Sequence, residues 1–245
     1  MQKLFFGNIK MNQTPSETQN YLKILIDKTK TAKSKIGIAF PYTNLNIANE
    51  LCKNSNILVG AQNVSAEDSG SFTGEISSKM LAESGVKFCI VGHSERRKLF
   101  GENNAIINKK IKRLMQVNII SVVCVGETKI ERDANKTKVV LKKQIEECLQ
   151  GLFENELKNI VIAYEPVWAI GTGETPTTKQ VELALQHITQ IVHSSFSTTV
   201  NPSLIYGGSI NESNIKFFIS AKACSGVLVG GSSLDPIKFA KISSI

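Results

Sequence analysis

Short apolar runs that alternate with amphipathic stretches constrain the fold of this chain more than any other feature. The runs are typical of strands buried on both faces. They lie at 4–9, 36–40, 57–61, 88–91, 119–125, 160–164, 203–206 and 227–229. The stretches between them carry apolar residues at intervals of three and four, as helices do, and lie at 17–28, 105–115, 139–149, 181–192 and 214–219. This alternation predicts βαβ units and a parallel sheet.

The length of the chain decides how such a sheet closes. Eight strand and helix units in 245 residues match the size of a closed (β/α)8 barrel, whereas an open doubly wound sheet usually has fewer strands. No segment rich in Pro, Gly or Ser divides the sequence. We therefore predict an α/β fold in which residues 1–245 form a single (β/α)8 barrel domain.

Composition excludes several classes of protein. With 42% hydrophobic and 20% charged residues, the chain is neither collagen-like, disordered nor membrane-spanning. Five widely spaced cysteines without a CxxC pair predict neither a disulfide scaffold nor a metal site. The 29 basic and 21 acidic residues give a net charge of +8, which favours an anionic partner: nucleic acid, a membrane surface or a phosphorylated metabolite. The first apolar run is too short for a signal-peptide core, so we expect a cytoplasmic protein.

Polar side chains follow the predicted strands, where barrel enzymes place their active sites. His93 and Glu165 each stand where an apolar run ends, and both residue types serve in acid–base catalysis. The structural alternatives are a hydrogen-bonded histidine and an ion-paired glutamate. Lys10, after the first run, offers a cation for an anionic substrate; its alternative is an ordinary surface lysine.

Two glycine pairs point to phosphate. Gly207-Gly208-Ser209 and Gly230-Gly231-Ser232 follow the seventh and eighth runs, where barrels bind phosphate through backbone N–H groups. The alternative is that these glycines only permit left-handed turns. The connection at 166–176 is long and apolar and contains the single Trp of the chain, which predicts a lid over the site. No GxGxxG motif follows a strand, so dinucleotide binding is disfavoured.

Seven segments together resemble the triosephosphate isomerase family. They are GNIKMN (7–12), GAQNVSAEDSGSFTGEIS (60–77), VGHSERR (91–97), CVGET (124–128), AYEPVWAIGTG (163–173), YGGSIN (206–211) and LVGGSSL (228–234). The resemblance implies a TIM barrel that interconverts dihydroxyacetone phosphate and D-glyceraldehyde 3-phosphate in glycolysis and gluconeogenesis. It also implies that neither a metal nor an organic cofactor is needed.

The same resemblance implies roles for individual residues. Glu165 is expected to be the base, neutral His93 the electrophile, and Lys10 the cation beside the enediolate intermediate. Asn8 and Lys10 are expected to contact the triose phosphate, together with backbone groups of Gly171, Ser209, Gly230 and Gly231. Glu95 is expected to pair with Lys10. The loop 62–78, with Thr73 near its tip, is expected to reach into a second copy, so the resemblance implies a homodimer.

The chain departs from the family pattern at few positions. Ile9 stands where Trp is usual, Ser71 replaces a more typical Ala, and Pro176 lies at the end of the predicted lid, where it is expected to stiffen the hinge.

Two other functions remain open at this point. Another phosphate-binding barrel enzyme, such as an aldolase, would explain the glycines, but its Schiff base would need a strand-end lysine and only Lys10 qualifies. Nucleic-acid binding would explain the charge, but basic runs such as 109–113 have the default interpretation of a solvated helix face. We therefore expect neither a nucleic-acid nor a membrane partner.

Overall fold

Eight parallel strands close into a barrel in the order of the sequence. A computed structural model describes residues 2–170 and 174–245 of the chain. Strand β1 pairs with β2, each later strand pairs with the next, and β8 pairs with β1. The strands are β1 (Leu4–Asn8), β2 (Lys35–Phe40), β3 (Ile57–Ala61), β4 (Phe88–Val91), β5 (Ile120–Val125), β6 (Ile160–Tyr164), β7 (Ser203–Tyr206) and β8 (Gly226–Val229). The predicted fold class, an α/β protein with a (β/α)8 TIM barrel, is confirmed.

At least one helix lies in every interval between successive strands. Between β6 and β7, a 3-10 turn at Val167–Ala169 precedes the helix. The helices are α1 (Pro15–Thr29), α2 (Leu45–Cys52), α3 (Ser78–Glu83), α4 (Ser94–Leu99), α5 (Asn104–Gln116), α6 (Lys129–Asp133), α7 (Thr137–Cys148), α8 (Thr178–Phe196), α9 (Ile215–Ile219) and α10 (Pro236–Ser243). Thr14, Thr128 and Thr177 cap α1, α6 and α8 with reciprocal capping boxes, which fixes where these helices begin. No helix in the described ranges is long and apolar enough to cross a membrane.

The strands bury both faces. One apolar cluster fills the barrel, where the rings of Phe6 and Phe88 stack with centroids 4.5 Å apart. A larger cluster lies between the strands and the surrounding helices. Gly60 makes room for the interior cluster, because a Cβ atom there would lie 2.3 Å from Phe88 Cζ. The barrel is thus a packed core and not a pore.

Strand alternation decides which polar residues face the barrel axis. In β6 the side chains of Val161 and Ala163 belong to the interior cluster, so two residues further on Glu165 points the same way. Leu4 and Phe6 place Asn8 on the interior by the same rule. Polar side chains are therefore brought together at the carboxyl end of the barrel, directly above its apolar filling.

Candidate active site

A cavity of about 450 Å³ opens at the carboxyl end of the barrel. Seven of the predicted site residues line it: Asn8, Lys10, His93, Glu165, Ser209, Gly230 and Gly231. Glu95 lines an adjoining cavity of about 300 Å³, which shares Asn8, Lys10 and His93 with the first. Thr73 lines neither cavity and lies exposed in a turn of its loop. Gly171 and the centre of the predicted lid lie outside the described residues.

The ring of His93 is oriented by the first turn of α4. The backbone N–H of Glu95 donates to His93 Nδ1 over 3.2 Å. An imidazole that accepts at Nδ1 and is neutral carries its proton on Nε2. Glu95 Oε2 also lies 3.5 Å from Nδ1, and this contact alone would favour a charged ring. Two observations favour a neutral ring: the N–H contact to Nδ1 is shorter, and the Glu95 carboxylate already pairs with Lys10. His93 therefore presents an Nε2–H donor to the cavity.

Glu165 lies beside that donor. It is 4% exposed, its Oε1 lies 3.4 Å from His93 Nε2, and its Oε2 accepts from the backbone N–H of Ser94 over 3.4 Å. Burial and then the neighbouring Glu165 carboxylate raise the pKa of Cys124 well above its ordinary value, so this thiol stays protonated beside the carboxylate. The Glu165 carboxylate thus lies at the cavity wall between the His93 ring, the N–H of Ser94 and the Cys124 thiol.

Lys10 supplies the cation of the site. Its Nζ lies 2.5 Å from Glu95 Oε1, and its backbone N–H donates to Asn8 Oδ1 over 3.0 Å. The backbone of Lys10 is left-handed, with φ of 55°, a conformation that costs a non-glycine residue about 1–2 kcal/mol. The ammonium group therefore reaches the cavity from a backbone that its neighbours must hold in place.

Another part of the cavity wall is built from the loops after β7 and β8. A 3-10 turn at Gly231–Leu234 follows Gly230, and the Ser232 hydroxyl donates to the Ile210 carbonyl over 2.6 Å, which ties the two loops together. Gly207 must lack a side chain, because a Cβ atom there would lie 2.8 Å from Glu165 Cγ. Four glycines of these loops line the cavity, Gly207, Gly208, Gly230 and Gly231, and glycine lets backbone N–H groups approach a bound anion closely.

The family model described as Triosephosphate isomerase matches residues 3–245. The chain belongs to the triosephosphate isomerase family. The triosephosphate isomerase of Dictyoglomus thermophilum is 42% identical over 240 residues, covering 97% of this chain and 96% of the relative. That of Thermoanaerobacter pseudethanolicus is 40% identical over 239 residues, covering 96% of each. The crystal structure of triosephosphate isomerase from Bartonella henselae superposes with a TM-score of 0.89 at 35% identity, covering 99% of this chain and 98% of that one.

Membership of the triosephosphate isomerase family confirms the predicted enzyme class, an intramolecular isomerase of triose phosphates. It also decides against an aldolase of the same fold. Within residues 2–170 and 174–245, no group of three or more His, Cys, Asp or Glu side chains is placed to hold a metal ion.

Sequence reasoning missed Glu127, which contacts β6 and the segment that follows it. Its carboxylate is fully buried and accepts from Trp168 Nε1 over 3.0 Å and from the Tyr164 hydroxyl over 3.2 Å. Arg132 lies 3.4 Å from the same carboxylate and stacks on the Trp168 ring at 4.0 Å. These contacts fix the segment that follows Glu165. An acidic residue directly after a strand was the available signal, but only the fold brings its partners to it.

The interpretation of residues 109–113 as a solvated face was wrong at two positions. Lys110 is 4% exposed, and its Nζ lies 2.5 Å from Glu102 Oε1 and 2.7 Å from Asn63 Oδ1. Burial lowers the pKa of Lys110, and the Glu102 carboxylate partly offsets this. Arg113 Nη1 lies 2.9 Å from Asp68 Oδ2. The error has a physical cause: the long loop after β3 folds back over this face of α5.

Proposed function

We propose that the enzyme interconverts dihydroxyacetone phosphate and D-glyceraldehyde 3-phosphate through an enediolate, with Glu165 as the base and His93 as the electrophile. The observation that carries this proposal is the pairing of the two groups, since Glu165 Oε1 lies 3.4 Å from His93 Nε2 at the wall of the cavity. A carboxylate and a neutral N–H donor side by side suit a carbon acid whose carbonyl must be polarised as its proton leaves.

The proton balance of the reaction needs no further reagent. Glu165 takes a proton from C1 of dihydroxyacetone phosphate, and the electron pair moves to the C2 carbonyl oxygen, giving the enediolate. His93 Nε2–H donates to that oxygen, and the Lys10 ammonium stabilises the negative charge. A proton moves between the two substrate oxygens, and Glu165 returns its proton to C2. Substrate and product are isomers, so we propose that no cofactor or metal takes part.

The phosphate group is assigned to the wall after β7 and β8. We place it on backbone N–H groups of Ser209, Gly230 and Gly231, with Gly171 joining from the predicted lid. Lys10 lies next to this wall, since a Cβ atom on Gly230 would lie 3.6 Å from Lys10 Cε. Several fixed dipoles and one ammonium group suffice to bind a dianion in a concave site.

A homodimer is part of the proposal. The loop that carries Thr73 protrudes, and the side chain of Phe72 at its tip is 47% exposed. Two exposed apolar side chains line the adjoining cavity, Met11 at 97% and Phe100 at 65%. Exposed apolar area of this kind is typical of an interface. We propose that the Thr73 loop of one subunit enters this cavity of the other.

We further propose a cytoplasmic location and no nucleic-acid or membrane partner. All five cysteines are free thiols, as expected in a reducing compartment. Arg96, Lys110 and Arg113 form ion pairs with carboxylates of the same chain, so these three basic side chains are engaged within the fold.

Assays of two Glu165 variants test the proposal. Glu165→Gln removes the basic oxygen, and we expect kcat for the isomerisation of glyceraldehyde 3-phosphate to fall about 10²- to 10⁴-fold. Glu165→Asp keeps a carboxylate but withdraws it by about one methylene, so we expect an intermediate loss, on the order of 10²-fold. Binding of a phosphate-bearing analogue should change little in either variant. Wild-type turnover in Glu165→Gln would overturn the assignment.

A further inference from the structure

The side chain of Gln62, directly after β3, bridges two backbone carbonyls at the edge of the site. Its Nε2 donates to the carbonyl of Lys10 over 2.9 Å and to the carbonyl of Ala39, in β2, over 3.0 Å. A primary amide has two N–H donors on one nitrogen, so both are used. Because Ala39 lies within the barrel sheet, the Lys10 carbonyl is tied to a rigid element.

The backbone conformation of Lys10 needs such hydrogen bonds to hold it. Its left-handed φ of 55° is disfavoured for a side chain with a Cβ atom, and the surrounding structure must hold it. Its backbone N–H is held by Asn8 and its Nζ by Glu95. Gln62 holds the remaining group, the carbonyl, and thereby fixes the peptide that follows Lys10.

We infer that Gln62 is a positioning residue, which keeps the Lys10 ammonium group directed into the substrate cavity. Gln62 lines the adjoining cavity and not the one assigned to substrate, so it acts through Lys10 and does not touch the triose phosphate. Without its two donors, the Lys10 backbone relaxes toward a right-handed conformation, and the ammonium group moves. The inference rests on the proposed role of Lys10 in binding substrate.

The chemistry of the bridge calls for glutamine. Both partners are acceptors, so a carboxylate at position 62 would face them with acceptors only, and asparagine is shorter by one methylene. Gln62→Met keeps the length of the side chain and loses both donors. Gln62→Glu keeps the shape and reverses the hydrogen-bonding character. Both variants lose the two N–H donors but differ in charge and shape, so a defect that they share is attributed to the lost donors.

A double-mutant cycle with Lys10→Met tests the inference. In the wild-type background we expect Gln62→Met and Gln62→Glu each to raise KM and to lower kcat/KM by about 10- to 100-fold, since misplacement by about 1 Å costs on that order. In the Lys10→Met background we expect Gln62→Met to change kcat/KM by less than about twofold, the scatter of independent sites. Losses that multiply in the double variant would overturn the inference.

Asn44 provides the matched control. Its Nδ2 bridges the carbonyl of Gln13 over 2.9 Å and the hydroxyl of Thr18 over 2.8 Å, and Gln13 is also left-handed, with φ of 69°. Asn44 lines neither cavity, so Asn44→Asp should lower the melting temperature and leave KM of the folded enzyme unchanged. A Gln62→Met variant that likewise loses only stability would overturn the inference.

The Lys10→Met variant separates this inference from the proposed function. If Lys10→Met alone leaves kcat/KM unchanged, both the proposed role of Lys10 and the inference are wrong. If only the Gln62 variants leave kcat/KM unchanged, the inference is wrong and the role of Lys10 stands.

Discussion

At the scale of single residues, the protonation of His93 follows from where its ring lies. The N–H of Glu95, at the start of α4, donates to Nδ1, and a protonated ring would set two donors against each other at that contact. A neutral ring keeps this hydrogen bond and directs Nε2–H toward Glu165. The proposed electrophile is thus a hydrogen-bond donor whose direction is set by the N–H of Glu95.

Replacing His93 tests this account of the donor. We expect His93→Gln to lower kcat by about 10²- to 10⁴-fold, the range for a general acid–base group, because the glutamine amide is not held by the N–H of Glu95. The melting temperature, followed by circular dichroism, serves as the control for folding. A kcat within about twofold of wild type, in a variant that melts like wild type, would contradict the assignment.

Some site residues could be predicted from the sequence and others could not. His93, Glu165 and Lys10 each follow a strand run, and strand ends meet at one face of a barrel, so their convergence could be predicted. Gln62 and Glu127 also follow strands, but their roles depend on which backbone carbonyls and side chains lie opposite them. Such cross-loop contacts are set by three-dimensional packing and leave no pattern in the local sequence.

At the scale of elements, strands were predicted more accurately than the long loop after β3. All eight apolar runs differ from the observed strands by at most one residue at either end, because runs buried on both faces have sharp chemical limits. The loop is held to α5 by Lys110 and Arg113 through Asn63, Asp68 and the carbonyl of Ala66. The helical pattern of α5 gave no sign that its basic residues would be used in this way.

Removing one of these contacts tests whether they order the loop for dimerisation. Arg113→Ala removes the pair with Asp68 and the bond to Ala66, so the loop is less ordered before it binds. We expect the dimer dissociation constant to rise about tenfold, equivalent to about 1.4 kcal/mol, as measured by sedimentation equilibrium. Lys112→Ala, which removes the same charge from an exposed neighbour, should leave it unchanged. Equal dissociation constants for the two variants would contradict this role of the loop contacts.

At the scale of the whole molecule, closure of the barrel assembles one site from distant parts of the sequence. Asn8 and Glu165 are far apart along the chain, yet both line the same cavity because every strand ends at the same face. Among the Lys and Arg side chains that the structure describes, Lys10 is the one that lines this cavity, so the net charge of +8 indicated an anionic partner without locating its site. The fold class could be predicted from periodicity and length; that residues 1–245 behave as one domain stays a prediction.

The central claim is that one carboxylate moves a proton between adjacent carbons of the substrate. Isomerisation of dihydroxyacetone phosphate in D₂O tests it most directly, with the glyceraldehyde 3-phosphate trapped by a coupling dehydrogenase and examined by NMR. While the proton resides on Glu165 it can exchange with solvent, so we predict deuterium at C2 of the product of the wild-type enzyme. A product that carries no deuterium would mean that the transferred hydrogen never resides on a group that exchanges with solvent, and this would contradict the account.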